Sequence, residues 1–227
     1  MRNPIYRRSA EAVARRCPDC RLARTACLCG LIPQIHTKTR VVLILHQLEE
    51  RKTSNTGRLA LRCLSNGEVV IRGDVARAAA LRHVVVPSIS AAGVSPSSAT
   101  DEPPVDWTAH GDPVLLFPHE DARPIEAWRG NPRPVTLIVP DGTWPQGQRV
   151  RRRIAGLDRV PCATVSRTAP SRYRLRTTPD PRRLATLEAI AEALGVLEGD
   201  GPREALLAIF DTMVERVLKA RAGGSVP

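Results

Sequence analysis

The feature of this sequence that most restricts its fold is a series of short, uninterrupted runs of apolar residues. Residues 41–45 read Val-Val-Leu-Ile-Leu and end at His46. Uninterrupted runs of this length are typical of strands buried on both faces, as in a parallel sheet covered by helices. Further runs of this kind predict strands at residues 69–71, 114–117, 135–139 and 162–165.

The segments between and after these runs have the residue spacing of helices. Ser54 or Asn55 can cap a helix that passes through Leu64 and ends at Gly67. The alternation of strands and helices predicts an α/β fold with a mainly parallel sheet and flanking helices, and both C-terminal helices should pack on the sheet. The other predicted helices are at residues 145–156, 184–194 and 206–217.

The first 37 residues differ from the remainder in composition. They are basic and contain four of the six cysteines, which predicts a small module at residues 1–37 joined to one main domain at residues 38–227. Within the main domain, residues 87–113 are rich in Pro, Ser and Gly and are predicted to form a long surface loop. Two cysteines lie in apolar runs and are predicted to be core residues, namely Cys63 and Cys162.

Four closely spaced thiols in the first module have the pattern of a metal site. Cys17 and Cys20 form one pair, and Cys27 and Cys29 form a second pair after six intervening residues. Two short pairs brought together by a loop can supply the four ligands of a tetrahedral zinc site. The alternatives are four reduced thiols or a redox-active pair. Because no further polar ligand is indicated, a zinc ion here would be structural.

The net charge of +11 indicates a polyanionic partner. The charge is concentrated: residues 1–40 carry nine basic and two acidic side chains, and residues 145–183 carry eleven and two. No apolar run approaches the length of a membrane span, and the arginine-interrupted N-terminus lacks the apolar core of a signal peptide. We therefore expect a cytoplasmic protein that binds nucleic acid. The sequence indicates neither a membrane nor a protein partner.

One predicted strand ends in a group of residues suited to ligand binding. The run at residues 135–139 is followed by Asp141, Gly142, Thr143 and Trp144. A buried strand thus delivers a carboxylate, a flexible glycine, a hydroxyl and an indole to its carboxyl end, where α/β sheets bind their ligands. The alternative is an ordinary Asp-Gly-Thr turn followed by a helix cap.

The same segment resembles the Asp-x-Thr-Trp signature of the DTW-domain family. Four other segments resemble that family in its order, and together they cover residues 17–195. Three positions depart from the family pattern: Gln47 replaces a proline, His119 a frequent glycine and Gly147 a common alanine. The other segments are the cysteine cluster at residues 17–29, the His-Pro-x-Glu and Asn-Thr-Gly stretches at 46–49 and 53–58, the Phe/Tyr-Pro loop at 115–122, and the C-terminal block at 171–176 with 185–189.

The resemblance implies a SPOUT-like fold with a C-terminal trefoil knot, S-adenosylmethionine as the donor and a tRNA uridine as the acceptor. It implies transfer of the 3-amino-3-carboxypropyl group to the imide nitrogen of uracil, with release of methylthioadenosine. One alternative is a SPOUT-type RNA methyltransferase, which uses the same donor but transfers its methyl group. Another is a non-catalytic, zinc-containing RNA-binding module.

Asp141 is the candidate catalytic residue in the implied reaction. A carboxylate within hydrogen-bond reach of the imide N–H can act as the general base that removes its proton. The alternative is that Asp141 holds the amino group of the methionine moiety or orients its loop. Glu188, near the start of a predicted helix, is expected to be structural. The residues implied to bind the donor are Leu116, Phe117, Pro118, Asp141, Gly142, Thr143, Trp144, Ser166, Tyr173, Arg174, Leu175 and Arg176.

Two predicted rows of arginines near this site suit tRNA phosphates. One row alternates along residues 172–176, and the other shares a face of the predicted helix at residues 149–153. One of these arginines could instead clamp the methionine carboxylate. Trp144 and Tyr173 can either stack on a base or simply be packed. The residues expected to contact RNA, of which the first two equally suit a structural role, are His46, Glu49, Asn55, Thr56, Arg58, Arg149, Arg152, Arg153 and Arg172.

Overall fold

A parallel β-sheet forms the centre of the computed structural model, whose described residues are 15–46, 49, 52–53, 55–72, 106–166, 170–175 and 183–223. The five strand pairings of this sheet are all parallel, which confirms the predicted α/β fold. Its order is β2-β1-β5-β3-β6-β4. The strands are β1 Arg40–His46, β2 Gly67–Arg72, β3 Asp112–Leu116, β4 Arg123–Pro124, β5 Val135–Asp141 and β6 Cys162–Thr164.

The first helix begins where the sequence predicts but ends earlier. Asn55 is its N-cap, because the side-chain Oδ1 accepts a hydrogen bond from the backbone N–H of Arg58 at 2.8 Å. The prediction that Gly67 ends this helix is wrong, since Leu64 already has extended backbone and Gly67 begins β2. The α-helices are α1 Thr56–Cys63, α2 Trp144–Arg153, α3 Thr186–Glu198 and α4 Asp200–Arg221.

The two C-terminal helices form a layer over one face of the sheet. α3 contacts β5, whereas α4 packs chiefly against α3, α1 and the turn at Arg24–Ala26. The expectation that both helices pack on the sheet is confirmed for α3, while the main contacts of α4 are with α3, α1 and that turn. Among the described residues, no helix is long and apolar enough to cross a membrane.

Both faces of the sheet are buried, which explains the uninterrupted apolar runs. Along β1, Val41, Leu43 and Leu45 belong to the larger core cluster, which includes residues of α1, α3 and α4. Val42 and Ile44 point to the opposite face and join a smaller cluster. Because successive side chains of a strand alternate in direction, every residue of this run is in the core.

The cysteine-bearing segment shares its core with the sheet. Ala26, Leu28 and Ile35 are buried in the same cluster as the first face of β1. Ile35 also forms an isolated parallel bridge with Leu64, directly after α1. The boundary between a module at residues 1–37 and a main domain stays a prediction.

The predicted surface loop at residues 87–113 lies outside the described residues up to position 105. Residues 107–110 form a turn in which positions 108–110 are exposed, but Trp107 is buried and its indole N–H donates to the backbone carbonyl of Ala155 at 3.2 Å. β3 then begins at Asp112. A tryptophan in a polar, proline-rich stretch was the signal that this end of the segment belongs to the core.

Candidate active site and metal site

A cavity opens at the carboxyl ends of β3, β5 and β6, where parallel sheets bind their ligands. Its volume is about 670 Å³, within the usual range for a small-molecule site. α3 closes one side through Thr186 and Ala189. The loops after the strands line the remainder, at residues 116–118, 139–140, 142–144 and 163–165.

Asp141 is the last residue of β5 and lies between two residues that line the cavity. One carboxylate oxygen, Oδ2, accepts a hydrogen bond from Asn55 Nδ2 at 2.6 Å. The other, Oδ1, accepts one from Thr186 Oγ1 at 2.8 Å. The carboxylate therefore joins the end of β5 to the first turns of α1 and α3, and two neutral donors fix its orientation.

The start of α1 is shaped to receive this carboxylate. Gly57 allows the close approach, since a Cβ atom there would lie 2.8 Å from Asp141 Oδ2. Asn55 and Thr56 are both buried, and Thr56 Oγ1 accepts a long hydrogen bond of 3.5 Å from the backbone N–H of Leu187. These two residues, which the sequence suggested for RNA contact, are thus engaged within the protein around Asp141.

The cavity has an aromatic wall. The rings of Phe117 and Trp144 have centroids 4.9 Å apart, and Trp144 is 39% exposed. Gly147 lies beneath Phe117, and a Cβ atom there would come within 2.5 Å of the ring carbon Cε2. The glycine at this position therefore allows α2 to approach the phenylalanine ring closely.

Arg183 is a cavity residue that no sequence pattern singled out. Its guanidinium carbon lies 4.9 Å from the centroid of the Trp144 ring, and it lines the same cavity. The only signal in the sequence was its position two residues before the Ala-Thr-Leu-Glu block at residues 185–188.

The structure brings together about half of the residues expected to bind the donor. Asp141 lies beside the cavity, whereas Ser166, Tyr173, Arg174 and Leu175 are not among the described residues that line it. Arg176 lies outside the described residues. The expected residues that line the cavity are Leu116, Phe117, Pro118, Gly142, Thr143 and Trp144.

Glu188 fixes the segment at residues 170–175 to the start of α3. Its buried carboxylate accepts hydrogen bonds from Ser171 Oγ at 2.5 Å, the backbone N–H of Arg172 at 2.8 Å and that of Ala185 at 2.8 Å. In this segment Tyr173 stacks on Phe210 of α4, with ring centroids 5.7 Å apart. Tyr173 is therefore packed against the core.

α2 carries a group of exposed cations directly after the cavity. Arg149, Arg152 and Arg153 are exposed, and in the described part of the chain no acidic side chain pairs with them. Arg172, by contrast, forms an ion pair with Asp211 of α4 at 2.6 Å. Of these four arginines, only the three on α2 therefore lack an acidic partner among the described residues.

Arg151, on the same helix, is paired. Its guanidinium contacts Asp121 Oδ2 at 2.8 Å, and His119 Nδ1 lies 2.7 Å from Asp121 Oδ1. The hydrogen bond from Arg151 lowers the pKa of Asp121, and the same bond raises the pKa of Arg151. His119, where the family often has glycine, therefore belongs to a small charged cluster that fixes the loop after β3 to α2.

The remaining predicted RNA contacts lie at or after the end of β1 and in the first turn of α1. His46 is half-buried at the end of β1, opposite Arg72 of β2. Glu49 is buried and forms an ion pair with Lys52. Arg58 lies in the first turn of α1 and lines a small cleft beside the cysteine-bearing segment. These residues do not line the cavity.

The four N-terminal cysteines converge as the spacing predicts. Their sulfur atoms all lie within 4.8 Å of one another, with 3.6 Å between Cys17 and Cys29 and 3.8 Å between Cys20 and Cys27. A tetrahedral zinc ion with Zn–S bonds of about 2.3 Å requires sulfur separations of about 3.8 Å. The four thiols therefore fit a zinc ion. Cys63 and Cys162 are buried in the core, as predicted.

The environment of the cluster favours one thiolate near neutral pH. Burial opposes ionisation of Cys17, but hydrogen bonds from the backbone of Cys20 and Asp19 and from neighbouring thiols outweigh it and lower its pKa to about 7. Burial raises the pKa of Cys20 to about 12. A bound metal ion would hold all four sulfurs as thiolates.

A cation of α1 faces the sulfur cluster. Arg62 Nη2 lies 3.6 Å from Cys29 Sγ, and Arg62 Nη1 is buried without a hydrogen-bond partner among the described residues. A metal bound by four thiolates carries net negative charge, so this guanidinium is placed to compensate it. The sequence alone did not indicate this contact, because the two residues lie 33 positions apart.

Comparison with known proteins relates the whole described core to one family. A family model described as the DTW domain matches residues 14–218. The chain is 27% identical over 194 residues to tRNA-uridine aminocarboxypropyltransferase 2 of Drosophila melanogaster, an alignment that covers 84% of this chain and 70% of that protein. It is 28% identical to tRNA-uridine aminocarboxypropyltransferase A of Arabidopsis thaliana, over 87% of this chain and 79% of that protein.

A further relative is tRNA-uridine aminocarboxypropyltransferase 2 of Mus musculus, which is 28% identical over 187 residues. That alignment covers 80% of this chain and 56% of the mouse protein. No solved structure matches the chain.

Proposed function

The chain belongs to the DTW domain family, and we propose that it is a tRNA-uridine aminocarboxypropyltransferase with S-adenosylmethionine as the donor. The observation that carries this proposal is the cavity at the carboxyl ends of β3, β5 and β6, because its walls are the segments that resemble the family motifs. Its relatives have this activity in their names. A volume of about 670 Å³ suits a nucleoside joined to an amino acid.

The proposed reaction is a substitution at carbon. The imide nitrogen of uracil attacks the methylene carbon next to the sulfonium sulfur, a nitrogen–carbon bond forms and the carbon–sulfur bond breaks. The electron pair of that bond goes to sulfur, and methylthioadenosine leaves. Since a sulfonium is already an activated leaving group, the protein has two tasks, which are to orient the donor and to accept the imide proton.

Asp141 is the proposed proton acceptor. Its two carboxylate oxygens accept hydrogen bonds from Asn55 and from Thr186, and these donors hold the carboxylate next to the cavity-lining residue Gly142. The competing role is to bind the ammonium group of the donor or to orient the loop at residues 142–144. Both roles place a carboxylate beside the cavity, and they differ in whether its loss affects the rate or the donor affinity.

The aromatic wall and α2 supply the other contacts. We assign Phe117 and Trp144 to the adenosine part of the donor, since both rings line the cavity and Trp144 is partly exposed. Arg149, Arg152 and Arg153 are assigned to tRNA phosphates. Replacing all three by alanine should reduce the slope of log K against log salt for tRNA binding by about one for each phosphate that is no longer bound, with Arg129→Ala as the control.

The finer features of the fold are part of the proposal. We propose that the four cysteines hold a structural zinc ion, which the sulfur separations support. Family membership supports a SPOUT-like domain with a C-terminal trefoil knot. We also propose that the protein is cytoplasmic.

Incubation of the purified protein with unmodified tRNA and S-adenosylmethionine tests the function. The expected result is tRNA with the mass of an added aminocarboxypropyl group on a uridine, together with methylthioadenosine. A methyl increment with S-adenosylhomocysteine would instead identify a methyltransferase. Salt-sensitive tRNA binding without turnover, unaffected by Asp141→Ala, would identify a non-catalytic RNA-binding protein.

A further inference from the structure

Arg183 is the only charged side chain among the described residues that line the cavity. Its guanidinium lies over the face of Trp144, 4.9 Å from the ring centroid, which is the arrangement of a cation–π contact. No carboxylate pairs with it in the described ranges. A cation held in this way beside a cavity retains its hydrogen-bond donors for an anionic ligand.

Contacts hold both the backbone that follows Arg183 and its guanidinium group. Two residues further on, the backbone N–H of Ala185 donates to the buried carboxylate of Glu188 at 2.8 Å, and this contact fixes the start of α3. Trp144 holds the guanidinium end. The first turn of α3 also lines the cavity through Thr186, so the positive end of the helix dipole adds to the positive charge of Arg183.

We propose that Arg183 binds the carboxylate of the aminocarboxypropyl group and so selects a donor that carries it. This inference rests on the proposed function. The donor has two cationic groups, the sulfonium and the ammonium, and one anionic group, the carboxylate. Arg183 contacts Trp144 at the end of the loop at residues 142–144, so the site offers its one lining cation to the one anionic group of the donor.

Calorimetric binding of two ligands tests this assignment. S-adenosylmethionine has the carboxylate, whereas methylthioadenosine shares the adenosine and lacks the amino-acid group. In Arg183→Ala, we expect the affinity for S-adenosylmethionine to fall roughly tenfold to hundredfold, since a charge-assisted hydrogen bond is removed, while the affinity for methylthioadenosine stays unchanged. Arg183→Lys should retain part of the affinity for the donor, because it keeps the charge without the planar fork. Arg129→Ala, an exposed arginine that does not line the cavity, is the control.

Other outcomes overturn the assignment in distinguishable ways. Equal weakening of both ligands in Arg183→Ala would mean that Arg183 only supports the Trp144 ring. Unchanged affinity for S-adenosylmethionine with weaker tRNA binding would mean that Arg183 contacts a phosphate. If the wild-type protein bound neither small ligand, the proposed function would fail together with this inference.

Discussion

The two ends of α1 differ in their polar contacts: the first turn lies beside a carboxylate and the last turn lies beside the cysteine cluster. At the first turn, Asn55 caps the helix and donates to Asp141, so the polar groups are paired within the protein. At the last turn, Arg62 contacts Cys29 Sγ, and its Nη1 is buried without a hydrogen-bond partner in the described part of the chain. Since burying part of a cation is costly unless an anion accompanies it, the thiolates of the proposed zinc site would complement Arg62 at this end. We expect substitution of the residues at the first turn to affect chiefly the reaction rate. Substitution at the last turn, or loss of the metal, should affect chiefly the free energy of unfolding.

The largest expected effect is at the first end. Asp141→Asn should lower kcat by about 10²–10⁴-fold, because an amide cannot accept the imide proton. Single-turnover rates with saturating donor and tRNA measure this. Asp158→Asn, an exposed aspartate of the turn at Leu157–Arg159 that does not line the cavity, is the matched control and should leave kcat unchanged. If Asp141→Asn instead weakened donor binding and left the rate at saturation intact, Asp141 would be a donor ligand and not the base.

The next effect is at the second end. Metal removal by a chelator, or Cys20→Ser, should lower the free energy of unfolding by an amount on the order of several kcal/mol, because metal-binding energy becomes folding energy in small cysteine sites. Thermal melting together with metal content by mass spectrometry checks this. The control is Cys63→Ser, since Cys63 is buried away from the cluster and its sulfur bonds the Leu59 carbonyl as a hydroxyl can. An unchanged melting temperature after chelation would contradict the expectation that the cysteine cluster stabilises the fold through a bound metal ion.

A smaller effect should follow from removing the cation that faces the cluster. Arg62→Gln should lower zinc affinity about 10–100-fold, as loss of a group that contacts a metal ligand commonly does. Competition with a chromophoric chelator measures it, and Arg129→Gln on the surface is the control. Equal zinc affinities in both variants would show that Arg62 has no part in metal binding.

The smallest effect tests the close packing at the first end. Gly57→Ala places a methyl group against Asp141 Oδ2 and Leu43 and should cost about 1–2 kcal/mol of stability through overpacking. Chemical denaturation measures the change. Gly201→Ala in α4 is the control, because nothing lies within 4 Å of the added atom. If both alanine variants were equally stable, the approach of Asp141 to α1 would not depend on the glycine.

The sequence predicted the features that depend on local pattern. Uninterrupted apolar runs identified five strands, because both faces of the sheet are covered, but β4 was missed since Arg123 and Pro124 are exposed and have no periodic pattern. The thiol spacing identified the metal cluster, because each pair of ligands comes from one short segment. The candidate site residues 141–144 at the end of β5 were identified because they also lie together in one short segment.

Contacts between distant segments could not be predicted in this way. Asn55 was expected to face RNA, yet its side chain bonds a residue 86 positions away. Arg62 and Arg183 gain their roles from Cys29 and Trp144, which are brought near them only by the tertiary fold. A row of arginines in the sequence likewise does not reveal that Arg151 is paired with Asp121 while its neighbours on α2 are exposed.

The tight fit of Gly147 under Phe117 limits how this protein can change over evolutionary time. An alanine is common at this position in the family, but here its methyl group would meet the ring at 2.5 Å. Position 147 can accept alanine only after the ring has shifted or residue 117 has become smaller. Since the family loop keeps Phe or Tyr before its proline, an alanine at position 147 requires a shift of the ring or of α2, and Gly147→Ala alone should disturb this wall of the cavity.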